Sequence, residues 1–138
     1  MNRTLCALLG SLIAAAAAAD SLADRDRLLC SSSQVLLCFE TGECFPAQPW
    51  ELDVPQFVVI DLKKKTISTT AASEERRSTA LMSVTRADGT IFLQGIEQRR
   101  AFSIVIDEQL GTLNAAVARD GITVSVFGAC TDAAVGEG

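Results

Sequence analysis

Short apolar segments separated by turn residues dominate the chain from residue 57 onward. Two of the connections between them contain a glycine preceded by an aspartate, Asp88-Gly89 and Asp120-Gly121. Asp-Gly pairs favour two-residue hairpin turns, because both residues tolerate the left-handed backbone conformation that these turns require. No apolar period of 3.6 residues is sustained in this region, and only residues 71–78 are compatible with a short helical turn. The pattern therefore predicts an all-β fold, an antiparallel up-and-down meander of about eight strands.

The meander is expected to span residues 57–127 and to follow an N-terminal hairpin at residues 30–45. Proline residues interrupt any regular structure between the two parts. The hairpin strands are expected at 35–39 and 44–45, and those of the meander at 57–62, 66–70, 80–86, 90–94, 101–107, 112–118 and 122–127. Eight or nine such strands are expected to form a small barrel or to remain a strongly curved sheet.

The turns also predict the register of the strands. Four successive connections, beginning with a two-residue turn at residues 88–89 and a longer loop at 95–100, set the pairing of five strands. This pairing places five apolar residues in one row, namely Val84, Leu93, Phe102, Val117 and Val124. A slip of one residue would move every side chain to the other face of the sheet. The agreement among separate turns therefore supports one continuous apolar face.

The first nineteen residues have the pattern of an export signal. Arg3 precedes an alanine-rich apolar segment, and small residues follow where a signal peptidase would cleave, after Ala19 or as late as Ala23. Removal of residues 1–19 leaves a single β domain at 20–138 that keeps 11 of the 12 basic and all 17 acidic residues, a net charge of −6. We expect a periplasmic or secreted protein without a membrane span, and its acidity argues against a nucleic-acid partner.

Export also changes the cysteine count from five to four, because Cys6 lies in the signal segment. An even number of cysteines in an exported chain predicts disulfides. A three-residue turn with Gly42 in the left-handed position sets Cys38 opposite Cys44, which leaves Cys30 to pair with Cys130. We expect no metal or other cofactor, because the chain has no histidine and no Cys-x-x-Cys pair.

The composition argues against an enzyme. Without histidine the chain cannot form a Ser-His-Asp or Cys-His arrangement. Its acidic residues are scattered over turns, and it contains no glycine-rich phosphate loop. We therefore expect no catalytic residues, and a binding or interaction module rather than an enzyme.

One end of the predicted meander collects arginine side chains. Alternate connections of an up-and-down sheet lie at the same end, which brings together the connections at 71–78, 95–100 and 119–121. They carry the candidate binding residues Arg76, Arg77, Arg99, Arg100 and Arg119. Guanidinium groups bind carboxylate or phosphate in a bidentate manner, so we expect this arginine rim to contact an anionic ligand or an acidic patch on a partner protein. The alternative is a set of solvated loop tips with mutual salt bridges.

Trp50 lies in the proline-rich segment between the hairpin and the meander. We expect its side chain to cover the open end of the small β domain. The alternative is an exposed aromatic anchor for a partner protein.

The segments CFETGEC and DGITVSVFGACT, placed around a β-meander, resemble those of a group of small exported bacterial proteins of unknown function. The plan of a small barrel whose ends are tied by a disulfide is also similar in architecture to the bacterial inhibitors of lysozyme. Two alternatives to a general interaction module follow. One is an inhibitor of a cationic enzyme such as lysozyme, toward which an acidic protein is steered. The other is a small-molecule carrier with a barrel cavity.

Overall fold

The computed structural model describes residues 21–136, and nine strands within them form one antiparallel sheet. The strands are β1 (Arg27–Phe39), β2 (Cys44–Ala47), β3 (Phe57–Asp61), β4 (Thr66–Thr69), β5 (Ser78–Ala87), β6 (Thr90–Glu97), β7 (Arg100–Asp107), β8 (Thr112–Arg119) and β9 (Ile122–Asp132). A 3₁₀ helix at Pro49–Leu52 precedes β3, and one helical turn at Ala133–Gly136 follows β9. The predicted signal peptide lies outside the described residues.

The sheet closes into an eight-stranded barrel because β1 has partners on both of its edges. Strands β3 to β9 pair with one another in chain order, and β9 then returns to pair with β1 along almost its whole length. On its other edge, β1 pairs with β3 near its start and with β2 near its end. The predicted all-β meander is confirmed, and of the two architectures that the sequence allowed, the chain adopts the barrel.

Strand β1 begins eight residues earlier than the sequence pattern predicted. Its early part contains Ser31–Ser33, residues with little preference for strands, but hydrogen bonds from β3 and β9 hold both of its edges. A bulge between Ser32 and Gln34 interrupts the pairing with β9. Gly128 lies opposite this bulge, and a Cβ atom there would be 2.0 Å from the carbonyl oxygen of Ser31. The close approach of the two strands therefore requires glycine at this position.

The register prediction was wrong at the connection between β6 and β7. The expected longer loop is a two-residue turn, Gln98-Arg99, in which both residues have positive φ angles of 46° and 65°. Both strands are consequently longer than predicted, and Leu93 pairs with Ile104 rather than with Phe102. The shift is two residues, so the inward face is unchanged. The predicted pairs Val84–Leu93, Phe102–Val117 and Val117–Val124 are confirmed.

Two disulfides join neighbouring strands in the pairing that the sequence indicated. The Cys30–Cys130 disulfide links β1 to β9, across the strand pair that closes the barrel, and Cys38–Cys44 closes the hairpin of β1 and β2. The paired cysteines are 100 and 6 residues apart in sequence. Loop-closure entropy therefore predicts about 4–5 kcal/mol of stabilisation from the first and roughly 2–3 kcal/mol from the second.

Large aliphatic side chains fill one half of the barrel. We call this end the plugged end; it is formed by residues 21–26 and by the turns at 62–65, 88–89 and 108–111. The buried side chains in this half are Leu28, Ile60, Leu62, Leu81, Ile91, Leu93, Ile106 and Leu113. They form a close-packed core from wall to wall.

Leu22 completes this core from outside the strands. Its side chain is 1% exposed, and its backbone N–H donates to the carbonyl of Glu108 at 2.7 Å. Arg86 holds the same segment in place, because its guanidinium donates to the carbonyls of Ala23 and Arg25 and lies 2.9 Å from the Glu108 carboxylate. Residues 21–26 therefore act as a stopper that seals the plugged end.

Replacing Leu22 by alanine is expected to lower the free energy of unfolding by about 2–4 kcal/mol, because it leaves a cavity among fixed neighbours. The matched control is Leu110→Ala in the adjacent turn, where the side chain is 69% exposed and the change should stay within about 0.5 kcal/mol. Urea unfolding followed by circular dichroism measures both. Equal effects of the two substitutions would contradict a sealing role for Leu22.

The two cleavage positions that the sequence predicts differ in their effect on the stopper. Cleavage after Ala23 would remove Leu22, whereas cleavage after Ala19 would retain it. If the predicted signal is cleaved, we expect the mature chain to begin at Asp20, which N-terminal sequencing can determine. A mature chain that begins at Asp24 and is equally stable would disagree with this expectation.

Candidate functional site

The half of the barrel away from the stopper contains a cavity of about 510 Å³. It opens at the open end, which is formed by residues 48–56 and by the connections at 70–77, 98–99 and 120–121. Its walls are mainly apolar and include Leu37, Phe39, Val58, Ile67, Phe102, Ile104, Ala115, Val117, Ile122, Val124 and Val126. Small-molecule sites in proteins have volumes of about 300–1,000 Å³, and this cavity falls within that range.

Some of the inward side chains that line the cavity are small. Thr69, Thr79 and Ala115 line it beside larger apolar residues such as Leu37 and Ile67. Phe102 is large, but its ring packs over Gly95 on the neighbouring strand, where a Cβ atom would lie 2.4 Å from the ring. The ring is therefore held against the wall of the barrel.

Four charged side chains lie together at the mouth of the cavity, and we call Asp53, Arg77, Glu97 and Arg100 the rim cluster. Arg77 lies between two carboxylates, with Nη2 2.9 Å from Glu97 Oε2 and Nη1 2.9 Å from Asp53 Oδ1. Arg100 Nη2 is 3.2 Å from Asp53 Oδ2 and 3.8 Å from Glu97 Oε2. The four side chains of the rim cluster by themselves carry no net charge, and the exposed Glu75 adds a third carboxylate near Arg77, with Oε1 3.7 Å from Nη1.

The barrel wall positions three members of the rim cluster. Glu97 and Arg100 are cross-strand partners on either side of the Gln98-Arg99 turn, whose two left-handed residues cost of order 1–3 kcal/mol each. Backbone strain of this kind occurs at functional sites. Arg77 lies just before β5, and its backbone N–H donates to Thr69 Oγ1 at 3.0 Å. The cross-strand pair and this hydrogen bond together place both arginines at the mouth.

The electrostatics keep Glu97 and Arg77 ionised. Partial burial raises the pKa of the Glu97 carboxyl, but hydrogen bonds from Thr79 and Arg77 and attraction to Arg77 and Arg100 outweigh it, so the pKa is lowered overall. Burial lowers the pKa of the Arg77 guanidinium, and its hydrogen bond to Glu97 and the neighbouring carboxylates raise it further than burial lowers it. Glu97 and Arg77 therefore both carry their charges at neutral pH.

Asp53 is the member of the cluster that comes from outside the barrel wall. Residues 48–56 cross the open end between β2 and β3, and Leu52 and Val54 from this segment line the cavity. The Asp53 side chain is 52% exposed, whereas those of Arg77 and Arg100 are 17% and 15% exposed. Trp50 in the same segment is 75% exposed, so the prediction that it covers the open end was wrong.

The five candidate arginines of the predicted rim lie at or next to the open end, and they fall into two groups. Arg77 and Arg100 are paired with carboxylates, which is what the alternative of mutual salt bridges predicted. Arg76, Arg99 and Arg119 are exposed, and Arg119 also lines the cavity. A role for these residues in binding stays a prediction.

No protein-family model, curated protein or solved structure matches this chain. The resemblance to small exported bacterial proteins therefore stays a prediction. Within residues 21–136, no helix has the length and apolar character needed to cross a membrane, and no three metal-binding side chains are grouped together. The cavity and the rim cluster are therefore the features from which a function can be inferred.

The lowered pKa of Glu97 predicts a pH-dependent contribution to stability. As pH falls, the unfolded chain takes up a proton at this position near pH 4.3, before the folded chain does, so the stabilisation is lost as pH falls through the lowered pKa of the folded protein. At pH 7 the Glu97→Gln variant should be less stable than the wild type by about 1–3 kcal/mol. The difference should shrink as pH falls below about 4.3 and then through the lowered pKa of the folded protein.

Urea unfolding at pH 7, 5, 4 and 3 measures this difference. Glu74→Gln is the control, because Glu74 is exposed in the neighbouring connection and should change stability by less than about 0.5 kcal/mol at each pH. A wild-type advantage over Glu97→Gln that stays constant down to pH 3 would show that the charge of Glu97 does not stabilise the fold.

Proposed function

We propose that this protein binds a small, mainly apolar molecule inside its barrel and acts as a binding or carrier protein rather than as an enzyme. The observation that carries the proposal is the cavity of about 510 Å³ with apolar walls. It opens at one end of the barrel, and the packed core and Leu22 seal the other. The cavity thus has a mouth, a floor and a limited depth.

The packing of the two halves supports this function. Eight-stranded barrels have an interior that either fills with side chains or holds one small ligand. The plugged half fills with leucine and isoleucine, whereas the mainly apolar walls of the other half enclose an open volume and lack packing partners there. An apolar ligand would supply the missing contacts and gain about 25 cal/mol for each Å² of apolar surface removed from water.

The sealed end restricts the kind of ligand. A molecule that enters at the open end meets Ile104 and Leu113 at the floor, beside the core of the plugged half. The barrel therefore suits a compact or medium-length molecule, and it does not suit a long polymer that would have to pass through. The two disulfides are consistent with action outside the cytoplasm, which remains part of the proposal.

Inhibition of a cationic enzyme such as lysozyme remains the alternative. It depends on the acidic net charge of the chain, and the cavity would have no part in it. Binding of a small molecule is preferred because it accounts for the cavity.

Binding of the neutral apolar dye N-phenyl-1-naphthylamine tests the proposal, because the emission of this dye increases when it leaves water. We expect the wild-type protein to enhance the emission to saturation. Ala115→Phe should weaken binding at least about tenfold, which corresponds to about 1.4 kcal/mol, because the new ring occupies the cavity.

Ala116→Phe is the matched control, since the next residue on β8 is exposed on the outer face. Thermal unfolding by circular dichroism shows whether both variants are folded. Saturable binding that is equally strong in both folded variants would place the dye outside the barrel and contradict the proposal, and so would an absence of binding to the wild type. If Ala115→Phe does not fold, Val117→Phe replaces it, with Ala118→Phe as its control.

A further inference from the structure

The rim cluster holds a carboxylate at the mouth of an apolar cavity, and that carboxylate is mounted on a segment outside the barrel wall. Asp53 accepts hydrogen bonds from Arg77 at 2.9 Å and from Arg100 at 3.2 Å, one through each of its carboxylate oxygens. Two guanidinium groups, one on β7 and one from the residue just before β5, thus converge on one carboxylate. This is the arrangement that recognises a carboxylate ligand.

We propose that the ligand of the cavity is an amphiphile with a single carboxylate, such as a medium-chain fatty acid, whose head group replaces Asp53 between Arg77 and Arg100. The inference depends on the proposed function of the cavity and adds the chemical class of its ligand. Asp53 would then act as a stand-in for the head group in the free protein.

Asp53 is the carboxylate of the cluster that a ligand can displace. Its side chain is 52% exposed, so water can solvate this carboxylate when it leaves the two arginines. Glu97, in contrast, is 22% exposed and is held by a 2.6 Å hydrogen bond from Thr79 as well as by Arg77. An incoming carboxylate therefore competes with Asp53 and leaves Glu97 in place.

The charges of the cluster favour a head group with one negative charge, because it would take the place of one carboxylate. Glu97 and the more distant, exposed Glu75 stay beside Arg77, and Asp53 and a ligand carboxylate compete for the hydrogen bonds that Arg77 and Arg100 donate. A neutral head group would gain no ion pair and would leave Asp53 bound. The exchange of one carboxylate for another leaves the net charge of the mouth unchanged.

The depth of the cavity sets the length of the apolar chain. Arg100 at the mouth and Ile104 at the floor are four residues apart on β7, which corresponds to roughly 13 Å along the strand. Because barrel strands are tilted by about 35–45°, the depth along the axis is roughly 10 Å. An extended chain of about eight to ten carbons has this length.

Displacement of N-phenyl-1-naphthylamine by decanoate and by decanol at pH 7.5 tests the proposal, since the two probes share a chain and differ in the head group. We expect decanoate to bind the wild type about tenfold more tightly than decanol. Arg100→Gln should remove this preference by weakening decanoate alone. Arg99→Gln, which changes the adjacent exposed arginine, should leave it unchanged.

Decanoate binding by the Asp53→Asn variant is the decisive measurement. If Asp53 competes with the ligand, its removal strengthens decanoate binding, whereas if Asp53 only maintains the structure of the mouth, its removal weakens it. Removal of the competitor should tighten decanoate binding several-fold, with decanol binding unchanged. We expect this variant to fold as the wild type does, because the Asp53 side chain is half exposed and asparagine has nearly the same shape as aspartate.

The two proposals fail in different ways. If neither decanol nor the dye binds, the proposed function of the cavity is wrong. If both bind but decanoate is no tighter than decanol, or if Asp53→Asn weakens decanoate binding, the cavity takes a ligand without a carboxylate and the inference is overturned.

Discussion

The pairing of β1 with β9 is the interaction on which the rest of the structure depends. It joins the first and last strands of the barrel, and the Cys30–Cys130 disulfide lies across it. The approach of the two strands requires Gly128, because any side chain there would overlap the Ser31 carbonyl. Closure gives the sheet an enclosed interior, whereas an open curved sheet of the same strands would expose one apolar face to water. The core, the cavity and its mouth all follow from this closure.

The packing of the inward side chains then divides the interior. Leucine and isoleucine fill the plugged half, and Leu22 completes it from the segment before β1. The other half encloses the cavity, and the crossing segment brings Asp53 to its mouth. The packed core therefore lies in one half of the barrel, and the proposed ligand site lies in the other. A ligand can exchange at the mouth while the core beneath it stays packed.

Much of the fold was predictable because it depends on local chemistry. The Asp88-Gly89 turn set the register of β5 with β6, and the turn before Cys44 set Cys38 opposite it. The parts of the fold that the sequence did not predict also have physical reasons. The start of β1 is rich in serine and becomes a strand only because two neighbours bond it. Gln98-Arg99 lacks the residues that normally form a left-handed two-residue turn, so no local signal identified it.

By itself, the sequence determined the strands, the alternation of their faces, the pairing of the cysteines and the end of the sheet at which the arginines collect. These properties depend on neighbours in the chain and on turn geometry. Only the tertiary structure decided that the sheet closes, that half of its interior stays open and that Arg77 and Arg100 meet at Asp53. The reason is distance along the chain. Asp53 lies in an irregular segment 24 residues from Arg77 and 47 from Arg100, and only barrel closure brings the three together.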